Sequence, residues 1–288
     1  MKKIIALFLV MLSMLCCAAA QAEVERSPIL DAAFSMLEKD NIFQRRYNEI
    51  TGANVESVFD TGVPYFFGGK DLDRVFSKLP YFSQRKCLET TKYYRKDAIY
   101  LFGFDCAGFT QWIHTQVGKP EHDKLDKMIL TWSYEKKYHV YNHRKGHEMP
   151  PYDQLKDNLI VGDLLVAKIT ARHIMMYIGT LRDYGFTAEE VPALADYLDY
   201  PLVIHCGPHP QYNQRMQEYI DANRDRYPKV RSTDGGVAVS ILGVPLDAAT
   251  HHEKQFHHDY SYFMLDNDSL VMTIWDLPSA TSFCWFRM

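Results

Sequence analysis

Apolar residues recur with the spacing of an amphipathic helix in two long stretches of the chain. The first stretch covers residues 28–48, with Ser27 as a candidate N-cap and Pro28 at the first helical position. The second covers residues 107–117 and ends at Gly118. We expect both helices to pack an apolar face against another layer of the fold.

Short apolar runs of the kind that form strands dominate the second half of the chain. They occupy residues 164–167, 174–179, 202–205, 237–242, 270–274 and 281–286. Shorter helices are predicted over residues 188–198, where Thr187 and Glu190 match a capping box, and over residues 211–223. Helices followed by a mainly antiparallel sheet predict an α+β fold.

The first 22 residues have the pattern of a secretory signal peptide. Lys2 and Lys3 precede an apolar run over residues 4–20, and the small residues Ala20 and Ala22 close it. A permanent membrane anchor is the alternative, but the run is at the short end of the ~17–25 residues that span a bilayer. A lipid anchor on Cys16 or Cys17 is less favoured because the bulky Leu15 precedes Cys16. We therefore expect cleavage after residue 22 and export to the periplasm or the extracellular space.

The amino-acid composition is that of an ordinary globular protein. Of the 288 residues 47% are hydrophobic and 24% are charged, which excludes the disordered, collagenous and coiled-coil classes. The net charge is −4, and removing Lys2 and Lys3 leaves 30 basic and 36 acidic residues, so nucleic acid is an unfavourable partner. Four cysteines remain after residue 22, too few for a disulfide scaffold: Cys87, Cys106, Cys206 and Cys284. One disulfide is compatible with export, and sequence does not choose its pair.

Cys106 is placed where a loop becomes a helix. The unpaired N–H groups at a helix start favour a thiolate, so this position predicts a lowered thiol pKa and a candidate nucleophile. A buried, inert cysteine is the alternative interpretation.

Two histidines at strand positions complete a candidate catalytic set. His173 begins one predicted strand, from which an imidazole can reach a helix start and act as general base and then acid. His205 ends the next strand, where it is positioned to hydrogen-bond His173 and fix the orientation of its ring. For each histidine alone, a hydrogen-bonded core or surface role is the commoner outcome.

These segments resemble the NlpC-type cell-wall cysteine peptidases, compact members of the papain-like superfamily. Residues 64–69 (Pro-Tyr-Phe-Phe-Gly-Gly) resemble the family's proline-tyrosine-x-x-glycine-glycine block, and residues 105–109 (Asp-Cys-Ala-Gly-Phe) resemble its nucleophile block. Residues 162–163 (Gly-Asp) and 173–179 (His-Ile-Met-Met-Tyr-Ile-Gly) resemble its glycine-aspartate and histidine strands. The resemblance runs from about residue 60 to residue 207.

The resemblance implies a papain-like NlpC-type fold and a thiol mechanism. Cys106 would be the nucleophile, His173 the base and His205 the orienting residue, with Tyr65 helping to stabilise the oxyanion. The implied substrates are amide bonds in peptidoglycan stem peptides, where the family usually cleaves between D-glutamate and a diamino acid. Tyr65 also has an alternative role as an aromatic packing residue.

Three departures from the family pattern concern substrate binding. Ala107 stands where relatives have a serine that, with the preceding aspartate, binds the free amino end of the stem peptide, whereas Asp105 is retained. Arg172 precedes His173 where a small residue is usual, and its charge would disfavour imidazolium or bind an acidic substrate group. Long spacings imply inserted arms near residues 70–100 and 182–200.

These inferences give one domain architecture. We expect a signal peptide over residues 1–22, an N-terminal helical segment over residues 23–58, and the peptidase domain over residues 59–288 with a C-terminal extension. The histidine-rich run over residues 251–258 fails the zinc-peptidase spacing and is predicted to be a solvated loop. No metal, no organic cofactor and no stable membrane anchor are expected.

Two alternatives to an endopeptidase stay open. An amidase or acyltransferase could use the same thiol and histidines on another amide or ester. A silent wall-binding module would be indicated by loss of the cysteine or of the first histidine, but the chain keeps both.

Overall fold

The computed structural model of the protein describes most of the chain outside its amino terminus. The described residues are 24–70, 82–83, 98–118, 139–141, 151–168, 172–232, 235–245, 251–255, 258–264, 271–275 and 282–287. The predicted signal peptide and most of the predicted arm over residues 70–100 lie outside this part of the chain. None of the described helices is long and apolar enough to cross a membrane.

Five α-helices and one 3₁₀ helix lie within the described ranges. They are α1 (Pro28–Phe34), α2 (Ile42–Thr51), α3 (Cys106–Gln116), α4 (Tyr152–Leu155), the 3₁₀ helix (Pro192–Tyr197) and α5 (Pro210–Ala222). The predicted helices over residues 107–117 and 211–223 are confirmed as α3 and α5. Over residues 188–198 the capping-box bonds between Thr187 and Glu190 are present, but the helix is shorter and of the 3₁₀ type.

The strands form one large sheet and one small sheet. They are β1 (Phe82–Ser83), β2 (Ile99–Leu101), β3 (His139–Tyr141), β4 (Leu164–Lys168), β5 (Arg172–Thr180), β6 (Pro201–Pro208), β7 (Val230–Arg231), β8 (Gly235–Leu242), β9 (His251–Gln255), β10 (His258–Met264), β11 (Val271–Trp275) and β12 (Ser282–Phe286). The large sheet has the order β3-β12-β4-β5-β6-β8-β11-β10-β9, and the small sheet has the order β1-β2-β7. Among the described strands of the large sheet, only β8 and β11 pair in parallel. Mixed helices and a mainly antiparallel sheet confirm the α+β class.

Alternation along the central strands divides the apolar residues between the two faces of the large sheet. Ile174 and Met176 of β5 belong to the main core, which also contains apolar residues of α1, α2 and α3. Met175 and Tyr177 of the same strand pack instead in a second core that includes Leu155 of α4. The central strands are thus covered on both faces.

The predicted single helix over residues 28–48 is wrong, because the chain breaks it into α1 and α2. The Met36 carbonyl accepts from the Val63 N–H at 3.0 Å, and the Lys39 N–H donates to the Phe59 carbonyl at 2.9 Å. These long-range bonds use backbone groups that a continuous helix would need. Pro28 does open α1, whereas the Ser27 side chain makes no capping hydrogen bond.

The predicted solvated loop over residues 251–258 is also wrong. The run supplies all of β9 and the first residue of β10, and the two strands pair antiparallel from Gln255↔His258 to His251↔Tyr262. Pairing with a later segment therefore outweighs the polar composition of this run.

Candidate active site

Backbone hydrogen bonds join the loop that carries Tyr65 to the segment that leads into Cys106. The Phe66 N–H donates to the Phe104 carbonyl at 2.8 Å, and the Phe104 N–H donates to the Pro64 carbonyl at 3.1 Å. The Asp105 N–H continues this pattern by donating to the Gly69 carbonyl at 2.9 Å. The two segments that carry the family resemblance are therefore neighbours in the fold.

Three glycines make this close approach possible. A Cβ atom on Gly69 would overlap the Gly103 carbonyl, and one on Gly103 would overlap the Pro64 carbonyl. A Cβ atom on Gly108 would overlap the Gly69 carbonyl. Every obstacle is backbone, which cannot rotate away as a side chain could, so these positions require glycine.

Asp105 is the N-cap of α3 and also holds the preceding loop. One carboxylate oxygen accepts from the Gly108 N–H at 2.6 Å, and the other accepts from the Gly68 N–H at 3.1 Å. These contacts give Asp105 a structural role that sequence reasoning missed, although an aspartate before a helix with glycine three residues later is an N-cap signal. Its predicted part in binding a substrate amine stays a prediction.

Cys106 is the first residue of α3 and is partly exposed. The backbone N–H groups of Ile174, Ala107 and Cys106 itself lie near enough to its sulfur to lower the pKa of the thiol. The first of these groups belongs to the residue that follows His173 on β5. The nucleophile candidate is therefore held against the strand that carries the base candidate.

Although Cys106 is partly exposed, desolvation of its sulfur is the largest influence on the pKa of this thiol. Desolvation and the negative charge of Asp105 raise the pKa of Cys106 to about 12, and the backbone N–H groups only partly offset them. The predicted lowering of the pKa by the helix start is thus wrong for the resting site. The neutral thiol is the resting form at pH 7, so a nearby base must remove its proton for it to attack.

His173 and His205 are brought into direct contact. His173 Nε2 lies 3.0 Å from His205 Nδ1, and the two rings meet edge to face at 87°. Both side chains are buried, with 6% and 0% of their surface exposed. The paired part of β5 and β6 runs from Thr180↔Pro201 to Met176↔Ile204, and the two histidines lie just beyond it. The expected hydrogen bond between them is present.

A fourth residue, Ser240, extends this contact in a way that sequence reasoning missed. Its Oγ lies 2.7 Å from His205 Nε2, and its side chain is fully buried on β8. The available signal was a single hydroxyl in an otherwise apolar strand over residues 237–242. A buried hydroxyl is unfavourable unless it is hydrogen-bonded, and the bond to His205 satisfies that requirement.

Burial keeps His205 neutral. Desolvation, with smaller effects of His173 and His209, holds the pKa of His205 well below its ordinary value of 6.5. A neutral imidazole carries one proton, so one ring nitrogen of His205 donates and the other accepts.

The other predicted site residues have mixed placements. Tyr65 is partly exposed, and its backbone forms an isolated β-bridge with Phe104, which lies two residues before the nucleophile candidate. Ala107 is 7% exposed and packs in the main core, so a serine there would place its hydroxyl in largely apolar surroundings. The backbone of Arg172 opens β5 opposite Lys168, and its side chain lies outside the described part of the chain.

The glycine-aspartate pair at residues 162–163 has a clear structural task. The buried Asp163 carboxylate accepts from the Ile160 N–H at 2.9 Å and forms a two-point ion pair with Arg287 at 2.9 and 2.7 Å. Gly162 adopts a φ of +95°, which suits glycine. Asp163 therefore ties the turn before β4 to the end of the chain.

Comparison with known proteins gave no match to a family model, to a curated protein or to a solved structure. The likeness to the NlpC-type peptidases consequently rests on the residues named above and on their arrangement.

Proposed function

We propose that the protein is an exported cysteine endopeptidase with a papain-like NlpC-type fold that hydrolyses amide bonds in peptidoglycan stem peptides. The observation that carries the proposal is the juxtaposition on β5. The Cys106 sulfur lies close enough to the backbone N–H of Ile174 for that group to lower its pKa, and the adjacent His173 is hydrogen-bonded to His205 at 3.0 Å. A helix-start thiol beside an oriented imidazole is the arrangement that nucleophilic acyl transfer requires.

Each member of the set has a defined task in this proposal. His173 removes the proton from the Cys106 thiol as the sulfur attacks the carbonyl carbon of the scissile amide. His205 fixes the orientation of the His173 ring and stabilises the imidazolium that forms. The Cys106 N–H and the Tyr65 hydroxyl are the proposed donors to the oxyanion.

Proton transfer must accompany attack, because burial keeps the resting thiol neutral. Collapse of the tetrahedral intermediate breaks the carbon–nitrogen bond, and the His173 imidazolium gives its proton to the leaving amine. Water, deprotonated by the same imidazole, then attacks the thioester and releases the acid and the thiol. The cycle is redox-neutral and involves only protein groups and water.

The proposed substrate is the D-glutamyl to diamino acid bond of a stem peptide, and the proposed location is the cell envelope. Asp105 is the candidate for amine recognition, because its carboxylate is negatively charged and partly exposed and it directly precedes the candidate nucleophile. Ala107 lacks the serine hydroxyl of the family pattern, so amine binding is expected to be weaker than in relatives that keep it.

Digestion of purified muropeptides followed by mass spectrometry tests the proposal directly. We expect cleavage within the stem peptide by the protein lacking residues 1–22, and no cleavage by Cys106→Ala. The matched control is Cys206→Ala, which removes the fully buried thiol on β6 and should retain activity. Full activity in Cys106→Ala would refute the thiol mechanism. Products cut elsewhere, or activity only on other amides and esters, would favour the amidase or acyltransferase alternative.

A further inference from the structure

Three buried side chains on neighbouring strands form a continuous hydrogen-bonded row. His173 on β5, His205 on β6 and Ser240 on β8 are linked by contacts of 3.0 and 2.7 Å. Ser240 does not lie directly across from His205, since β6 and β8 pair Val203 with Ser240 and His205 with Ala238. The hydroxyl therefore reaches the ring diagonally, within the range of cross-strand neighbours.

The donors and acceptors of this hydrogen-bonded row can be arranged in one of two ways. In the first, His205 Nε2–H donates to Ser240, and His205 Nδ1 accepts from His173 Nε2–H. In the second, Ser240 donates to His205 Nε2, and His205 Nδ1–H donates to His173 Nε2. Because His205 stays neutral, its ring carries a single proton. The nitrogen that holds this proton decides which group donates and which accepts in every hydrogen bond of the row.

The arrangement determines whether His173 can act as a base. In the first arrangement the His173 Nε2 carries the proton, and Nδ1 is the nitrogen that carries none. In the second arrangement Nδ1 carries the proton, so that nitrogen cannot accept another from a thiol. Only the first arrangement also lets His205 accept from His173 when His173 becomes an imidazolium.

We propose that Ser240 is a positioning residue that accepts a hydrogen bond from His205 Nε2–H and so holds both histidines in the Nε2–H tautomer. The choice of this arrangement over the other, and the effect of Ser240 on turnover, rest on the proposed function of the site. The tautomers themselves can be measured in the folded protein without any substrate. An alanine at this position would remove the acceptor and leave His205 Nε2 without it in a fully buried site.

Histidine ¹⁵N NMR of the purified protein tests the tautomers without any substrate. We expect Nε2–H signals for both His173 and His205 in the wild type, and in Ser240→Ala a transfer of the His205 proton to Nδ1. A wild-type His205 protonated on Nδ1 would overturn the proposal, even if the alanine variant failed to fold. An unchanged Nε2–H tautomer in folded Ser240→Ala would overturn it as well.

Steady-state kinetics on muropeptides tests the consequence for turnover. We expect kcat to fall about tenfold or more in Ser240→Ala with little change in KM, and Ser240→Thr to recover most of the loss because it keeps the hydroxyl. Ser57→Ala is the matched control, since Ser57 is another buried serine, bonded within its own loop, and should leave kcat unchanged. Equal kcat for Ser240→Ala and wild type would refute the positioning role. A wild type inactive on every muropeptide would refute the proposed function, while the NMR result would still decide the tautomer.

Discussion

Replacing Asp105 with asparagine keeps the shape of the side chain but changes one of its two oxygens into an amino group. The two oxygens now accept from Gly108 at 2.6 Å and from Gly68 at 3.1 Å. Asparagine is itself a good N-cap, so it can keep the bond to Gly108. Its amino group would then face the Gly68 N–H, where two donors meet. The substitution therefore separates the capping contact from the loop contact.

The expected free-energy changes follow from these two contacts. A hydrogen bond to a charged group contributes about 1.5–3 kcal/mol, and the exposure of Gly68 to water favours the lower end of that range. We expect Asp105→Asn to lower the free energy of unfolding by about 1.5 kcal/mol. Asp105→Ala also loses the cap, typically about 1 kcal/mol, and should lower it by about 2.5 kcal/mol.

Urea denaturation of matched variants measures these differences. Asn41→Ala is the control, because Asn41 caps α2 by accepting from the Phe43 N–H at 3.0 Å. It should lower the free energy of unfolding by about 1 kcal/mol. If Asp105→Ala is no more destabilising than Asn41→Ala, the contact with Gly68 contributes nothing and the reasoning fails. If Asp105→Asn is fully stable but loses activity on free stem peptides relative to glycan-linked ones, its main role is amine recognition.

Three further predictions concern packing, acid stability and thiol reactivity. Gly108→Ala should lower the free energy of unfolding by about 1–3 kcal/mol despite the better helix propensity of alanine, because its Cβ would meet the Gly69 carbonyl. Urea denaturation measures the change, and an unchanged or higher free energy of unfolding in Gly108→Ala would contradict the clash, because alanine is by itself the better helix former. His209 is buried with its pKa lowered to about 3, so the unfolded chain binds its proton near pH 6.5 and the folded protein does not. Stability should therefore decline as the pH falls from 6.5 towards 3, by up to about 1.4 kcal/mol per pH unit. His209 is the N-cap of α5, with its Nδ1 accepting from the Tyr212 N–H at 2.9 Å, and His209→Asn replaces that nitrogen with a capping oxygen. This variant should show a smaller decline in stability between pH 7 and pH 4.5 in denaturation experiments, and an identical decline would contradict the assignment. Finally, alkylation of Cys106 by iodoacetamide should accelerate about tenfold per pH unit from pH 7 to pH 10, because its thiol pKa is about 12; a plateau below pH 9, detected by mass spectrometry, would show a lower pKa.

The parts of the fold that sequence predicts well are those specified by local patterns. Helix α3 and strands β4, β5 and β6 occur close to their predicted bounds, because each has its own period and its own turn or capping residues. The break between α1 and α2 is different. It depends on bonds from Met36 and Lys39 to residues 63 and 59, and no local pattern specifies that pairing.

The candidate site shows the same division between local and long-range information. Cys106 and His173 stand out because their residue types and local positions suggest chemistry. Ser240 does not, since its role depends on the neighbour of its strand in the sheet. Asp163 and Arg287, 124 residues apart in sequence, form an ion pair for the same reason. The least predictable groups are those whose partners come from another part of the chain.

The two halves of the candidate catalytic set are positioned by separate parts of the fold. Backbone bonds between residues 64–69 and 104–105, together with glycines that admit close approach, place the start of α3 and its thiol. The register of β5, β6 and β8 places the row of His173, His205 and Ser240. Substitutions in the glycine-lined segments should therefore displace the nucleophile without altering the histidine tautomers, whereas Ser240→Ala should alter the tautomers and leave the Cys106 sulfur in place. In the proposed mechanism the neutral thiol must lose its proton to His173, so either change alone is enough to slow the proposed reaction.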